Sequence, residues 1–363
     1  MLILGSSGAA YSQQPCKAFL LSLLDFQNTF FDILPKLLHN RPVLNVLQIT
    51  FPFFALVLCG YIAARKGILP QAAIPGLNSF VLFFALPCML FRFGASTPIA
   101  QLLDASVFGI YLFCALVMVA FTIAVTKNSR IGWNDASLGA LVAAFPNTGF
   151  MGVPLLVALL GAKAAGPAII TIVIDMVITS SLCIALSRLD GADEHGFSKA
   201  AKNALKGMLA NPMPWSILLG TLASAVSLTP PKPVTVTLGL LADAASPVAL
   251  FTIGAVLARS QMNSHELHEQ ISWTDYVPVA AIKLFVHPIL VLLVGLSAKK
   301  LGAPIDTFTL TVLVLIATLP SASNVSLLAE RFGANNGRIA RIILISTALA
   351  FLTFSGAVAL LRP

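Results

Sequence analysis

Charged residues are scarce in this sequence. Asp, Glu, Lys and Arg together make up 10% of the 363 residues, whereas hydrophobic residues make up 58%, and the mean hydropathy is +0.91. So few charges exclude a soluble domain, because such a domain needs a charged surface. Since backbone groups inside a bilayer must satisfy one another, we expect an all-α polytopic membrane protein.

Cysteine is also rare, and its spacing excludes two classes of site. The five cysteines form no C-x-x-C motif and no Cys/His pair, so neither a disulfide framework nor a zinc site is predicted. No metal and no cofactor is expected. The net charge of +8 does not indicate nucleic-acid binding, because the basic residues lie in short clusters between apolar runs, as in loops at membrane edges.

Ten apolar runs are long enough to suggest membrane spans, which need about 20 residues each. They are residues 45–64, 74–93, 106–125, 136–160, 166–187, 212–228, 234–258, 276–298, 308–329 and 340–361. We expect one five-span unit over 45–188, a loop over 189–211 and a second five-span unit over 212–361. Residues 1–44 are apolar but interrupted by acidic residues and proline, which fits a signal-like segment or, as we prefer, an interfacial helix.

The distribution of Lys and Arg predicts the orientation. Loops that follow odd-numbered spans contain 11 of these residues, and loops that follow even-numbered spans contain 4. Because cytoplasmic loops carry the excess of basic residues, we expect the middle loop to be cytoplasmic and both termini to lie outside.

The chain also resembles itself at a shift of 160 residues. "LPCMLFRFGA" at 86–95 aligns without a gap on "SPVALFTIGA" at 246–255, and Gly60 aligns on Gly220. An odd number of spans in each unit inserts the second unit upside down. Inverted repeats of this kind are typical of secondary transporters, in which broken helices at matching positions form the substrate site.

Helix-breaking residues cluster in the fourth and ninth spans, within "FPNTGFMGVPLL" (145–156) and "TLPSASNVSLL" (318–328). Taken alone, either cluster fits a simple kink or an Asn that joins two helices. At matching positions of an inverted repeat, the two clusters predict broken helices that cross near the middle of the membrane, where half-helix N-termini suit an anion. The predicted crossover prolines are Pro146, Pro154 and Pro320; the predicted substrate-binding residues are Asn147, Thr148, Gly149, Ser321, Ser323 and Asn324.

These two motifs resemble those of the auxin efflux carrier family, which includes PIN-type auxin exporters and bacterial malonate and malate carriers. "NPMPWSILLGTLAS" (211–224) and "LLADAASPVALFTIGAVLA" (240–258) are also similar to segments of that family, so the resemblance covers about residues 45–361.

The resemblance implies ten spans in two inverted repeats and a homodimer. Spans one, two, six and seven would form a scaffold, and the others a transport domain that moves like an elevator. It implies that Pro146 and Pro320 are the crossover prolines and that Asn147 binds a carboxylate. The middle loop is short, unlike the long loop of plant carriers, so we expect a bacterial inner-membrane carrier of a small mono- or dicarboxylate rather than of auxin.

Four ionisable residues within the spans are further functional candidates, because charges are costly inside a membrane. They are Asp175, Asp243, Lys283 and His287. Lys283 could pair with an Asp, neutralise a substrate carboxylate or extend towards the membrane surface. An ion pair that breaks on protonation would couple transport to protons.

Three other functions are alternatives to a carboxylate carrier. A sodium- or proton-coupled antiporter or symporter of the same architecture would use Asp175 or Asp243. An intramembrane enzyme would need an activated nucleophile, and none is evident beside His287, so no enzyme is expected. Crossed broken helices argue against an open channel.

Overall fold

The computed structural model describes residues 41–96, 104–189, 212–228, 230–266 and 271–361. Within these ranges the chain is helical apart from turns and one isolated bridge. The helices are α1 (Arg41–Arg65), α2 (Gln71–Ser96), α3 (Ala105–Thr126), α4 (Trp133–Ala144), α5 (Thr148–Leu160), α6 (Ala162–Leu186), α7 (Pro212–Ala225), α8 (Lys232–Glu266), α9 (Trp273–Lys300), α10 (Thr307–Thr318), α11 (Val325–Phe332) and α12 (Asn336–Leu361).

Within the described part of the chain, six helices are long and apolar enough to cross a membrane: α2, α3, α6, α8, α9 and α12. Four shorter apolar helices lie in the other predicted spans: Thr50–Arg65 within α1, α5, Trp215–Ala225 within α7, and α10. The prediction of an all-α, multi-pass membrane protein is confirmed, whereas the count of ten spans stays a prediction.

Several predicted span boundaries differ from the helix ends of the structure by a few residues. The seventh predicted span ends at residue 258, but α8 continues to Glu266, because the residues after 258 include neither glycine nor proline to stop it. The fourth predicted span starts at residue 136, but α4 starts at Trp133. The expected interfacial segment (1–44) and middle loop (189–211) lie almost wholly outside the described residues.

Four of the described helices, α2, α5, α6 and α9, contain a π-helical segment. The segments are Val81–Ala85, Thr148–Gly152, Ile174–Thr179 and Ile282–Val286. Such segments are rare and frequently occur at functional sites. Asp175 and Lys283, two of the candidate residues, each lie in one of them.

The helices pack in two groups. Helices α2 and α7 pack against each other and α8 packs against α2, while α3–α6 and α9–α12 pack among themselves. Helix α8 also contacts α5 and α12. We call α1, α2, α7 and α8 the first group and the remaining helices the second group.

Three glycines allow helices of the first group to cross at backbone contact in two places. A Cβ atom on Gly60 would lie 1.8 Å from the carbonyl oxygen of Phe251, and one on Gly254 would lie 1.8 Å from that of Val57. In the second crossing, a Cβ atom on Gly220 would lie 2.2 Å from the carbonyl oxygen of Phe91. Neither crossing leaves room for a side chain, because the obstructing atoms belong to the backbone.

Candidate functional site

Two prolines end two helices at the same depth of the second group. Helix α4 ends before Phe145, which is extended (φ −96°, ψ 102°), and α10 ends before Leu319, which is also extended (φ −62°, ψ 155°). Each of these residues precedes a proline, Pro146 or Pro320, and a residue before proline is displaced from helical geometry by steric contact with the ring. The helix breaks predicted at these prolines are therefore present.

The two breaks cross and pair through their backbones. The N–H group of Asn147 donates to the carbonyl oxygen of Pro320 at 2.8 Å, and the N–H group of Ala322 donates to that of Phe145 at 2.9 Å. Pro146 and Ser321 thereby form an antiparallel bridge. Each break satisfies polar backbone groups that the other has freed, which is required at a depth without water.

Polar side chains at this crossing are buried without internal partners. Asn147 is 4% exposed, Ser321 1% and Thr148 not at all. The hydroxyl groups of Thr148 and Ser321 make no hydrogen bond within the described part of the chain, and no side-chain hydrogen bond of Asn147 is found there either. An unsatisfied buried polar group costs about 1–3 kcal/mol, so this arrangement is better suited to holding a polar ligand than to stabilising the fold.

Two further predicted residues, Ser323 and Asn324, line a small pocket beside the crossing. Helices α2 and α8 of the first group supply Asn78 and Thr252 to the same pocket. Its volume is about 20 Å³, which holds roughly one water molecule. Gly149, also predicted here, lies in the first turn of α5.

The third predicted crossover proline takes no part in the crossing. Pro154 lies beyond the π-helical segment of α5, at the start of its regular α-helical part. A proline inside a helix removes one backbone hydrogen bond, and here it closely follows the π-helical segment without ending the helix. The bridge therefore depends on Pro146 and Pro320, and not on Pro154.

A second buried polar cluster lies in the same group of helices. The hydroxyl of Tyr111 donates to Asp175 Oδ2 at 2.7 Å, and that of Thr179 donates to Oδ1 at 3.2 Å. Lys283 Nζ donates to the carbonyl oxygen of Ala317 at 2.9 Å and lies 3.0 Å from Nδ1 of His287. The side chains of this cluster are fully buried. They are Tyr111, Asp175, Thr179, Lys283 and His287.

Lys283 connects this cluster to the crossing. Its carbonyl partner belongs to Ala317, in the last turn of α10, just before Pro320. The last carbonyls of a helix have no intrahelical partner and carry partial negative charge, so an ammonium group stabilises them. Lys283 does not extend to the surface. Among the described residues no N–O contact within 4.0 Å joins it to Asp175.

Asp243 lies apart from both clusters. It pairs with Arg92 at 2.6 Å, and the two side chains are 70% and 43% exposed. The structure therefore brings Asp175, Lys283 and His287 into one region and leaves Asp243 on the outer surface of the first group.

Sequence reasoning missed Tyr111, Asn78 and Thr252. A tyrosine in an apolar span was a usable signal for Tyr111, because a buried hydroxyl needs a partner. Asn78 could have been singled out as Asn147 was. Thr252 carried no signal, because its position in the pocket follows from packing alone.

Comparison with known proteins places the chain in a family. Residues 46–358 match the family described as "Membrane transport protein". The chain belongs to this family, the auxin efflux carriers. The resemblance inferred from the two motifs is thereby confirmed, and the chain is a membrane transporter by family.

Three relatives show how widely this transporter is related. It is 29% identical to the "Putative malonate transporter" of Rhizobium meliloti (strain 1021), over 88% of this chain and 96% of that one. It is 26% identical to the "Uncharacterized transporter YfdV" of Escherichia coli (strain K12), over 77% and 86%. The Arabidopsis thaliana "Auxin efflux carrier component 4" is 27% identical over 41% of this chain and 24% of its own length.

Proposed function

We propose that this transporter carries a small organic anion, a mono- or dicarboxylate such as malonate or malate, by alternating access at the helix crossing. The observation that carries the proposal is the pair of buried hydroxyls, Thr148 and Ser321, left unsatisfied where two broken helices meet. The name of the Rhizobium relative points to the same class of substrate.

The crossing offers neutral hydrogen-bond donors to a carboxylate. The Asn147 amide and the Thr148 and Ser321 hydroxyls can donate to its oxygens. Helices α5 and α11 begin beside the crossing, and the N–H groups of a first helical turn have no intrahelical partner and attract anions. Ser323 and Asn324 lie just before α11 and extend this surface into the pocket.

None of the described residues that line the pocket has a charged side chain. A monoanion can be held there by dipoles and hydrogen bonds, as at other helix N-termini. A dianion would carry a second charge that the pocket does not neutralise, which is costly at low dielectric constant. We therefore expect a dicarboxylate to be carried with one carboxyl protonated or together with a cation.

Movement between the two groups of helices would open the site. The pocket is lined from both groups and holds roughly one water molecule in this conformation, which is too little for a dicarboxylate. Displacement of the second group along the first would enlarge it and expose it to one side at a time. This is the elevator motion that the family resemblance implies.

The glycine crossings support the proposed inverted repeat. Gly60 lies against Phe251, and Gly220 lies against Phe91. The shift of 160 residues relates Gly60 to Gly220 and Phe91 to Phe251. A contact and its shifted counterpart both occur when two repeats pack about a twofold axis. This reciprocity favours ten spans in two inverted units.

Flux measurements test the proposed substrate site. We would purify the protein, reconstitute it in proteoliposomes and measure uptake of radiolabelled malonate, malate and monocarboxylates. Asn147→Ala should lower the apparent affinity at least several-fold, whereas Asn128→Ala, in an exposed loop, should transport as the wild type. Wild-type rate and affinity in Asn147→Ala would contradict the site.

A proton-coupled mechanism is favoured by the second buried cluster. Around Asp175 lie Tyr111 of α3, Thr179 and Cys183 of α6, and Lys283 of α9, with His287 beside Lys283. A carboxyl group and an amine that form no direct ion pair, such as those of Asp175 and Lys283, can each gain or lose a proton as their surroundings change. The distance between Lys283 Nζ and His287 Nδ1 fits a proton on either atom.

The coupling ion is tested by imposing gradients separately. If the cluster carries the coupling proton, a pH gradient should drive uptake by the wild type, and Asp175→Asn should abolish this while substrate binding persists. Driving by a sodium gradient alone, unchanged in Asp175→Asn, would instead favour the sodium-coupled alternative at another residue.

We also propose a homodimer in a bacterial inner membrane with both termini outside. An exposed ion pair on a membrane helix, Arg92 with Asp243, is unfavourable against lipid, and a second copy of the first group would cover it. Reporter fusions at the C-terminus test the orientation: a periplasm-dependent reporter should be active, and activity of a cytoplasm-dependent one would contradict it.

A further inference from the structure

An open groove lies on the outer face of the second group, away from the crossing. Its walls are apolar and come from α3, the start of α4 and the end of α6. Leu116, Ala120 and Lys127 line it on one side, and Trp133, Leu182 and Leu186 line it on the other. Its volume is about 530 Å³, far larger than the pocket beside the crossing.

The groove is as long as one leaflet of a bilayer. By the rise of an α-helix, the distance from Leu116 to Lys127 is about 16 Å. The hydrocarbon core of a membrane is about 30 Å thick, so one leaflet measures about 15 Å. Lys127 directly follows Thr126, the last residue of α3. The groove therefore begins at the membrane surface and ends near the middle of the membrane.

The mouth of the groove carries basic and aromatic side chains. Lys127 is exposed, and its Nζ lies 5.0 Å from the centre of the Trp133 ring. Arg130 is 66% exposed and pairs at 3.2 Å with Asp275, whereas no ion pair of Lys127 is found among the described residues. The Lys and Arg distribution predicts that this loop lies on the cytoplasmic side, where anionic lipids attract basic residues.

We propose that the groove binds an anionic phospholipid of the cytoplasmic leaflet. One acyl chain lies along Leu116, Ala120 and Leu182, and the phosphate contacts Lys127. Trp133 lies at the level of the headgroup, where tryptophan is commonly found. The apolar groove matches the length of an acyl chain, and the lysine at its mouth matches the anionic headgroup.

The bound lipid joins helices that also hold the buried cluster. Helix α3 supplies Tyr111 and α6 supplies Asp175, and the groove lies between the cytoplasmic halves of these two helices. A ligand that binds only the folded arrangement stabilises it in proportion to its occupancy. Anionic lipid should therefore raise the Tm of the detergent-solubilised protein.

Lipid binding can be measured by native mass spectrometry and thermal unfolding of the full chain, with phosphatidylglycerol and phosphatidylcholine as probes. The wild type should bind phosphatidylglycerol at least several-fold more tightly and gain Tm with it. Lys127→Gln should lose this preference. The matched control Lys66→Gln, at an exposed lysine of the first group, should keep it.

Filling the groove provides a test that leaves its charge unchanged. Ala124→Trp places a bulky ring within the lining and should weaken binding of both lipids. Val125→Trp, at a 55% exposed neighbour outside the lining, should bind as the wild type. Equal binding of the two headgroups, wild-type preference in Lys127→Gln, or wild-type binding in Ala124→Trp would each overturn the proposal. None of these readouts depends on transport, so the outcome is independent of the proposed substrate.

Discussion

Replacement of Thr148 by valine should stabilise the protein while it weakens transport. Thr148 is fully buried, and its hydroxyl has no hydrogen-bond partner in the described part of the chain. Valine keeps the branched shape and removes the polar atom. The fold therefore loses an unsatisfied group, and the substrate, in our proposal, loses a hydrogen bond.

The expected size of each effect follows from the burial. An unsatisfied buried polar group costs about 1–3 kcal/mol, so the free energy of unfolding without substrate should rise by about 1 kcal/mol. A neutral hydrogen bond to the substrate contributes about 1 kcal/mol. Since about 1.4 kcal/mol corresponds to a tenfold change in affinity, the apparent affinity should fall roughly fivefold.

Thr171→Val is the matched control. Thr171 is equally buried, but its hydroxyl donates to the carbonyl oxygen of Ala168 at 2.8 Å. Loss of that bond should lower the free energy of unfolding by about 0.5–1.5 kcal/mol and leave transport affinity unchanged. The two variants therefore make the same chemical change with opposite expected signs.

The assay combines unfolding in detergent without substrate and uptake in proteoliposomes. The reasoning would be refuted if both variants lowered stability equally and Thr148→Val kept the wild-type affinity. That result would mean that the Thr148 hydroxyl is satisfied and does not face the substrate.

Three further substitutions test the packing, a helix cap and the dimer. Gly254→Ala should lower the Tm because its Cβ atom would meet backbone at 1.8 Å, whereas Gly239→Ala on the same helix meets nothing and should raise the Tm slightly; equal shifts would contradict the crossing. Two hydrogen bonds from Thr309 lower the pKa of Asp306, and the one from its hydroxyl has a larger effect than the one from its backbone N–H. The ionised Asp306 therefore contributes fully to the free energy of unfolding above its ordinary pKa of about 4, and this contribution is lost as the pH falls through the lowered pKa. Asp306→Ala should cost about 1 kcal/mol at pH 7 and progressively less in acid; a pH-independent difference in unfolding would refute this. Asp243→Ala, which leaves Arg92 unpaired, should shift the mass measured in detergent from dimer towards monomer, and an unchanged dimer would argue against that interface.

The helix breaks could be predicted from the sequence because their cause is local. Pro146 and Pro320 act on the residue immediately before each of them, whatever the rest of the fold does. The pairing across the breaks could not be predicted in the same way. That Pro146 faces Ser321 rather than Pro320 depends on how α4 and α10 pack, which no local pattern encodes.

The partners of the buried charges were also beyond sequence reasoning. Asp175 and Lys283 were identifiable as ionisable residues within apolar runs, but Tyr111, which bonds Asp175, lies on another helix. The π-helical segments rotate the following residues relative to a regular helix, so a period of 3.6 residues misplaces them. Asp243 was identified in the same way, but it pairs with Arg92 on the surface of the protein. Hydropathy alone does not distinguish such a surface position from a buried one.

The backbone bridge at the crossing has a consequence for how the chain can be divided. Phe145 and Asn147 belong to the N-terminal half of the chain, and Pro320 and Ala322 to the C-terminal half, so each half supplies one donor and one acceptor. A chain cut in the segment 190–211 leaves each fragment with an amide and a carbonyl that only the other fragment satisfies. Neither fragment should therefore satisfy these backbone groups alone, and co-expression of the two should restore a functional pair by complementation.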